Sequence, residues 1–167
     1  TDLYHILFGN VLAVRDSDMY LTALVMIIVV LAVLLFYKQL KLTSFAPTMA
    51  QSYGWNISLI NYGFMFLLTL VAVTSLQTVG TILVIAMLIT PAATAYQLTN
   101  KLSIMVGLST VFGVLSAIIG LYFSYSYNLP SGATIVMTAA VFFIAAFLFS
   151  PSKGLIQQVR KERMYEA

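Results

Sequence analysis

Charge is what this sequence lacks most. Lys, Arg, Asp and Glu make up 8% of its 167 residues, while 61% are hydrophobic. A soluble domain carries about a quarter charged residues, so the composition excludes an ordinary soluble fold and identifies an integral membrane protein. Cysteine is absent, which rules out disulfides and thiolate metal sites. Charge is also missing where membrane chemistry would need it. No Asp, Glu, Lys, Arg or His lies in the middle of any long apolar run. Proton-coupled carriers and membrane enzymes generally depend on such groups. A transport site made wholly by this chain would have only Ser, Thr, Asn, Gln, Tyr and Met to use. There is no convincing internal repeat, no low-complexity segment and no attached soluble domain.

The few charges that are present set out the topology. Asp2, Arg15, Asp16 and Asp18 stand near the start, and Lys38 and Lys41 follow the first long apolar run. The next charge is Lys101, and then none occurs until the tail that begins at Lys153. A span needs about 20 apolar residues, so each uncharged stretch between these points has room for two. The expected spans are 20–37, 57–77, 79–96, 103–126 and 132–149. Cytoplasmic loops collect Lys and Arg. Lys38/Lys41, Lys101 and the tail are therefore read as inside, and the first 19 residues as outside. The net charge of +3 comes from residues at the edges of apolar runs. It is a topology signal and not a nucleic-acid patch. Tyr20, Tyr37, Tyr96, Tyr122, Tyr125 and Tyr127 fit the aromatic belts at the two membrane interfaces.

Two further features have both a functional and an ordinary reading. Asp2 and His5, three residues apart, could attract a divalent cation. Two ligands without a third make a weak site, and an interfacial His beside a helix-end Asp accounts for the pair equally well. Ser109, Gly113 and Ala117, with Ser116 and Gly120 beside them, form a small-residue face. Such faces allow helices to approach closely in a bilayer. Ordinary packing is the favoured reading, ahead of a dimer contact or the wall of a conduction path.

The inside connections carry more pattern than a loop requires. In "TSFAPTMAQSYGWN" (43–56), Pro47 suits the first turn of a helix and Gly54 a left-handed stop. A helix of about two turns fits between them. In "TVGTILVIAMLITPAATAYQLTNK" (78–101), Pro91 should kink the third span near Thr90. Small residues follow it, and Lys101 marks the return to water. A bent, smooth helix end of this kind can dock in a partner's groove; a kinked span end with no partner is the other reading.

Four stretches resemble a known family: "LFGNVLAV" (7–14), "SFAPTMAQSYGWN" (44–56), "SLQTVGTILVIAMLITPAATA" (75–95) and "YNLPSGATIVMTAAVFF" (127–143). They are similar to the permease subunit of bacterial ABC importers for manganese, zinc and iron(II). The nearest likeness is to manganese permeases of Gram-positive bacteria, with zinc or iron(II) import as the alternative. The resemblance implies an all-α, polytopic membrane protein of about five spans with a type II ABC importer permease fold. It implies a bacterial cell membrane location and no enzymatic activity of the chain itself. The expected partners are a separate ABC ATPase subunit, an extracellular metal-binding lipoprotein, a second permease copy forming a homodimer, and membrane lipid. No cofactor is implied. By the same resemblance, the segment from Pro91 to about Ser103 forms the cytoplasmic coupling helix that sits on the ATPase, with Pro91, Ala92, Ala93, Thr94, Gln97 and Lys101 as its residues. Phe45, Pro47, Met49 and Gly54 make up a second candidate contact.

The sequence departs from the family in two places. The family's "GD-x-x-SHA" metal motif is absent, so residues 1–167 read as the C-terminal portion of a permease domain; the apolar 3–14 stretch, too short to span, reads as the end of a helix that starts upstream, with an interfacial segment as the alternative. Ala46 also stands where the family usually has Asp, and Ala cannot cap the helix that starts at Pro47. A carrier or channel without an ATPase, and a non-transporting membrane scaffold, remain as readings from other classes; co-purification of an ATPase would separate them from the importer. The topology has a direct test. A cysteine introduced at Ser126 should react with an impermeant reagent from outside, and one at Ser152 only from inside; the reverse labelling would overturn the assignment.

Overall fold

Residues 14–150 are described by the computed structural model. Asp2, His5, nearly all of the 3–14 stretch and the basic tail lie outside the described residues. Every regular element among the described residues is helical: α1 (Asp16–Phe45), α2 (Pro47–Ser52), α3 (Ile57–Val79), α4 (Thr81–Leu98), α5 (Leu102–Tyr127) and α6 (Ser131–Phe149). Five of these are long and apolar enough to cross a membrane; α3 to α6 match expected spans to within two residues, while α1 starts four residues before the expected 20–37 and ends eight after it. The chain divides into two compact units, one from Ala13 to Thr78 and one from Val79 onward.

In the first unit, α1 is longer than its apolar run. It has 30 residues, about 45 Å at 1.5 Å per residue, against a hydrocarbon thickness of about 30 Å. Asp16 and Asp18 lie in its first turn, where carboxylates oppose the positive end of the helix dipole. Past Tyr37 the helix continues through Lys38, Gln39, Leu40 and Lys41, all good helix formers. It stops at Ala46, whose backbone has left the helical region (φ −142°, ψ 69°). The cause is Pro47, because the residue before a proline is pushed out of the α region.

Pro47 then begins α2, where its missing N–H costs nothing. The helix ends in two interlocking bonds. The Gly54 N–H donates to the Gln51 carbonyl (2.9 Å), and the Trp55 N–H donates to the Ala50 carbonyl (3.2 Å). This Schellman arrangement needs a left-handed residue, and Gly54 supplies it at φ +76°. Asn56 accepts the Leu59 N–H through Oδ1 (3.4 Å) as α3 begins.

The second unit is a three-helix assembly in which α4, α5 and α6 all pack against one another. Gly80, at φ 94° and ψ 158°, opens it in a conformation reserved for glycine. Its tightest point is Gly120 of α5 against α6. A Cβ at Gly120 would lie 2.5 Å from the Ile135 Cα, so only a glycine permits this crossing. Further along, Gly113 meets the Pro91 ring, with a Cβ placed there 3.8 Å from Pro91 Cγ. Ser116, Ser124, Ser131 and Ala139 complete the buried seam. The small-residue face of α5 is therefore packing surface, as favoured from the sequence. The connection to α6 turns on Asn128, left-handed at φ 51° and ψ 40°. Ser124 clamps this turn: its carbonyl accepts the Leu129 N–H (3.1 Å) and its hydroxyl donates to the Leu129 carbonyl (2.7 Å).

Two substitutions test this packing. Gly120→Ala should destabilise the protein in detergent by about 1–3 kcal/mol through overpacking against Ile135. Gly107→Ala, where an added Cβ meets nothing within 4 Å, should be neutral or stabilising by up to about 1 kcal/mol. Equal effects on thermal unfolding would refute the close crossing. Separately, Ala46 is the N-cap of α2 and makes no side-chain cap bond. Ala46→Asp should raise the melting temperature, through a cap that contributes about 0.5–2 kcal/mol; an unchanged or lowered value would refute the cap assignment.

Candidate functional site

The stretch from Pro91 to Lys101 makes up the last two turns of α4 and the link to α5. The sequence places a kink near Thr90 within a span expected at 79–96, and α4 runs through this point with Pro91 inside the helix. Proline removes one helical hydrogen bond. In a membrane helix, neighbouring helices and local Ser or Thr side chains compensate for such a loss. The carbonyl that loses its helical donor to Pro91 is that of Met87; the Thr94 hydroxyl bonds a different one, that of Thr90 (2.7 Å), and the Pro91 ring packs beside Gly113.

These last turns have two faces. Pro91, Thr94 and Ala95, at spacings of three and four, lie on the inner one; Thr94 is 1% exposed and Ala95 0%. Ala92 and Tyr96, four apart, lie on the outer one, where Tyr96 is 54% exposed. Ala93 and Gln97 are half-buried and Lys101 is exposed. Two of the six residues assigned to a partner-facing surface, Pro91 and Thr94, thus face the protein's own interior. A ring or hydroxyl enclosed by α5 and α6 cannot touch an outside surface, so these two position the segment. Ala92, Ala93 and Lys101 remain available to a partner, with Gln97 at the edge.

The end of α4 is anchored from two sides. Ser150, just past α6, donates its hydroxyl to the Gln97 carbonyl. The Thr99 N–H bonds the Ala95 carbonyl (3.1 Å), and the Thr99 hydroxyl accepts the Lys101 N–H (3.2 Å). Lys101 is the N-cap of α5, and its carbonyl accepts the Met105 N–H (2.9 Å). Ser150 was missed by the sequence reading. Ser150 carries no local signal, because its partner is 53 residues away.

The second candidate, in the other unit, keeps its assigned residues on the surface. Phe45 is 69% and Met49 61% exposed, and Pro47 and Gly54 are exposed as well. Tyr53, 71% exposed, extends the row at spacing four and packs its ring 6.0 Å from that of Trp55. Beneath them Ala50 is fully buried where α2 packs on α1. Neither segment contains a metal-ligating cluster, and among the described residues no group of three His, Cys, Asp or Glu comes together.

Comparison with known proteins gives this geometry a context. The manganese transport system membrane protein MntC of Listeria monocytogenes is 60% identical over 162 residues, 97% of this chain and 58% of the relative. The manganese import system permease protein ScaB of Streptococcus pneumoniae is 52% identical, over 92% of this chain and 55% of the relative. A solved structure, PsaBC from Streptococcus pneumoniae in complex with Fab, superposes with a TM-score of 0.85 at 47% identity, covering 94% of this chain and 57% of that one. The chain thus spans a little over half the length of the proteins it matches. It is an all-α, multi-pass bacterial membrane protein. The model of the ABC 3 transport family matches residues 1–150, and the chain belongs to that family.

Proposed function

We propose that this chain forms part of the transmembrane permease subunit of an ATP-driven importer of divalent metal, with manganese as its cargo. The observation that carries the reading is the 60% identity, across 97% of the chain, to a protein named for manganese transport. In this reading a separate ABC ATPase subunit hydrolyses ATP, an extracellular metal-binding lipoprotein delivers the ion, and a second permease copy completes a homodimer. The described spans carry no charged group at mid-depth, so they supply the walls of the route and not a set of ionic ligands. A chimera tests this. Residues 1–167 would replace the corresponding part of the Listeria protein in a permease-deficient cell. Restored manganese accumulation is expected. Zinc or iron(II) accumulation in its place would favour the alternative cargo, and no uptake by a properly inserted chimera would refute the proposal.

The coupling role is assigned to the outer face of the last turns of α4, with Ala92 and Ala93 meeting the ATPase and Lys101 at the rim. The inner face makes this mechanically sensible. Pro91, Thr94 and Ala95 are seated in the three-helix unit, and Ser150 holds the Gln97 carbonyl. A push on Ala92 would move α4, α5 and α6 as a block instead of bending one helix end. The row Phe45, Met49 and Tyr53 is the second proposed contact, since exposed apolar residues four apart make a face that a groove can accept. In the complete permease, Ala92→Trp and Ala93→Trp should leave insertion intact but lose the ATPase in a pull-down. Overpacking a fitted contact costs about 1–3 kcal/mol, enough for tenfold weaker association. Thr94→Trp should instead destabilise the unit itself, and Ser126→Trp should do neither. ATPase retention and normal transport in both Ala variants would leave α4 as no more than a span.

A further inference from the structure

Within the first unit, α1 and α3 leave an open groove of about 660 Å³ between them. It falls in the usual size range of ligand pockets, about 300–1,000 Å³. Its walls are apolar for most of their length, with Phe36 and Ala32 on one side and Gly63 and Leu67 on the other; Gln39 and Asn56 stand at one end only. On α1 the lining runs from Leu40 to Ala32, and on α3 from Leu59 to Leu67. Each run covers nine residues, or about 12 Å of helix from first to last. Half of a hydrocarbon core of about 30 Å is about 15 Å, so the groove is one leaflet deep. Its polar mouth lies at the end of α1 that carries Lys38 and Lys41, both exposed.

We propose that this groove holds one anionic phospholipid, with an acyl chain along Phe36, Ala32, Gly63 and Leu67 and its phosphate near Lys38 and Lys41. Three features favour a lipid over a protein helix. A crossing helix would need a trough along the whole of both spans, and this one ends halfway. The charge at the mouth is positive, and each Lys near a membrane surface attracts anionic headgroups. Gln39 also presents a buried Oε1 with no hydrogen-bond partner among the described residues. A rotation of the Gln39 side chain into the groove it lines would bring that oxygen to a headgroup hydroxyl, such as those of phosphatidylglycerol. The chain's Gly63 keeps the wall open, since an added Cβ there meets nothing within 4 Å.

The proposal stands apart from the cargo reading and has its own test. The complete permease, purified in detergent, would be titrated with phosphatidylglycerol or phosphatidylcholine, and bound lipid counted by native mass spectrometry. Phosphatidylglycerol should be retained preferentially. The double variant Lys38→Gln/Lys41→Gln should lose that preference by about tenfold. Gly63→Phe should empty the groove, whereas Gly107→Phe, at an open site on α5, should bind lipid as the parent does. Equal retention of the two lipids, or undiminished phosphatidylglycerol on Gly63→Phe, would overturn the assignment. A photoreactive benzophenone in place of Phe36 gives an independent readout in the complete permease. Adducts with phospholipid support the proposal, and adducts with protein show that a helix fills the groove.

Discussion

Backbone amides in hydrocarbon have no water to turn to, and nearly everything in this structure follows from that constraint. Each buried N–H and C=O must find a partner within its own segment, so the membrane-spanning part of the chain can only be helix. The helices stop at a small number of places, and each stop has its own local device. Ala46 yields to Pro47, Gly54 closes a Schellman pair, Gly80 and Asn128 adopt positive φ, and Thr99 receives the Lys101 N–H. The same rule governs the side chains. Thr22, Thr69, Thr74, Thr94, Thr110, Ser116 and Thr138 each donate a hydroxyl to the carbonyl four residues back. A hydroxyl that bonds its own helix carries no unmet demand into the lipid. This is why so many hydroxyls are compatible with apolar spans, and why most of them are not a polar route through the membrane.

Helix association then has to come from somewhere other than the hydrophobic effect. Lipid tails are as apolar as leucine, so apolar side chains gain little by leaving lipid for protein. What remains is close packing, which needs small residues. Gly120 against Ile135, Gly113 against Pro91, and the buried Ser116, Ser124, Ala139 and Ala146 make up that contact surface. The large residues point the other way: Leu115, Ile118, Tyr122 and Met137 are all exposed. The three-helix unit is thus partly inverted relative to a soluble bundle: Leu83, Val84 and Ile135 are buried, but most of the close contact surface is small and many large residues face outward.

This inversion explains what could be read from the sequence and what could not. Four of the spans were legible to within two residues because hydropathy marks them directly; α1 was not, because its helix continues past Lys38 and Lys41 to Phe45. The short helix after Pro47 and the stop at Gly54 were legible because proline and glycine act locally. The face each span turns inward was much harder to read. In water, an apolar stripe separates core from surface; in lipid both sides are apolar, so α4 gives little hint of orientation. Small residues were the remaining signal. They located the packed face of α5, but they misled at the end of α4, where Ala92, Ala93, Thr94 and Ala95 are all small yet only two are buried. Pro91, read as a kink within the span, does lie inside α4, with its ring seated beside Gly113.

The two candidate contact segments are built on opposite plans, and the difference bears on what each can do. Around α2 the exposed row is large and apolar, with Phe45, Met49 and Tyr53 standing above a single buried residue, Ala50. A six-residue helix has little stability of its own, so this segment depends on its Schellman end and its seat on α1 to hold the row in place. It is suited to adapting its shape to a partner. At the end of α4 the order is reversed: the outward residues are small or amphipathic, and the inward ones are locked by Gly113 and by the Ser150 bond to Gln97. Rigid seating behind a smooth face transmits displacement and adapts poorly. In the coupling proposed for α4, a push on its outward turns would reach a packed block of three spans, because those turns are seated against α5 and α6.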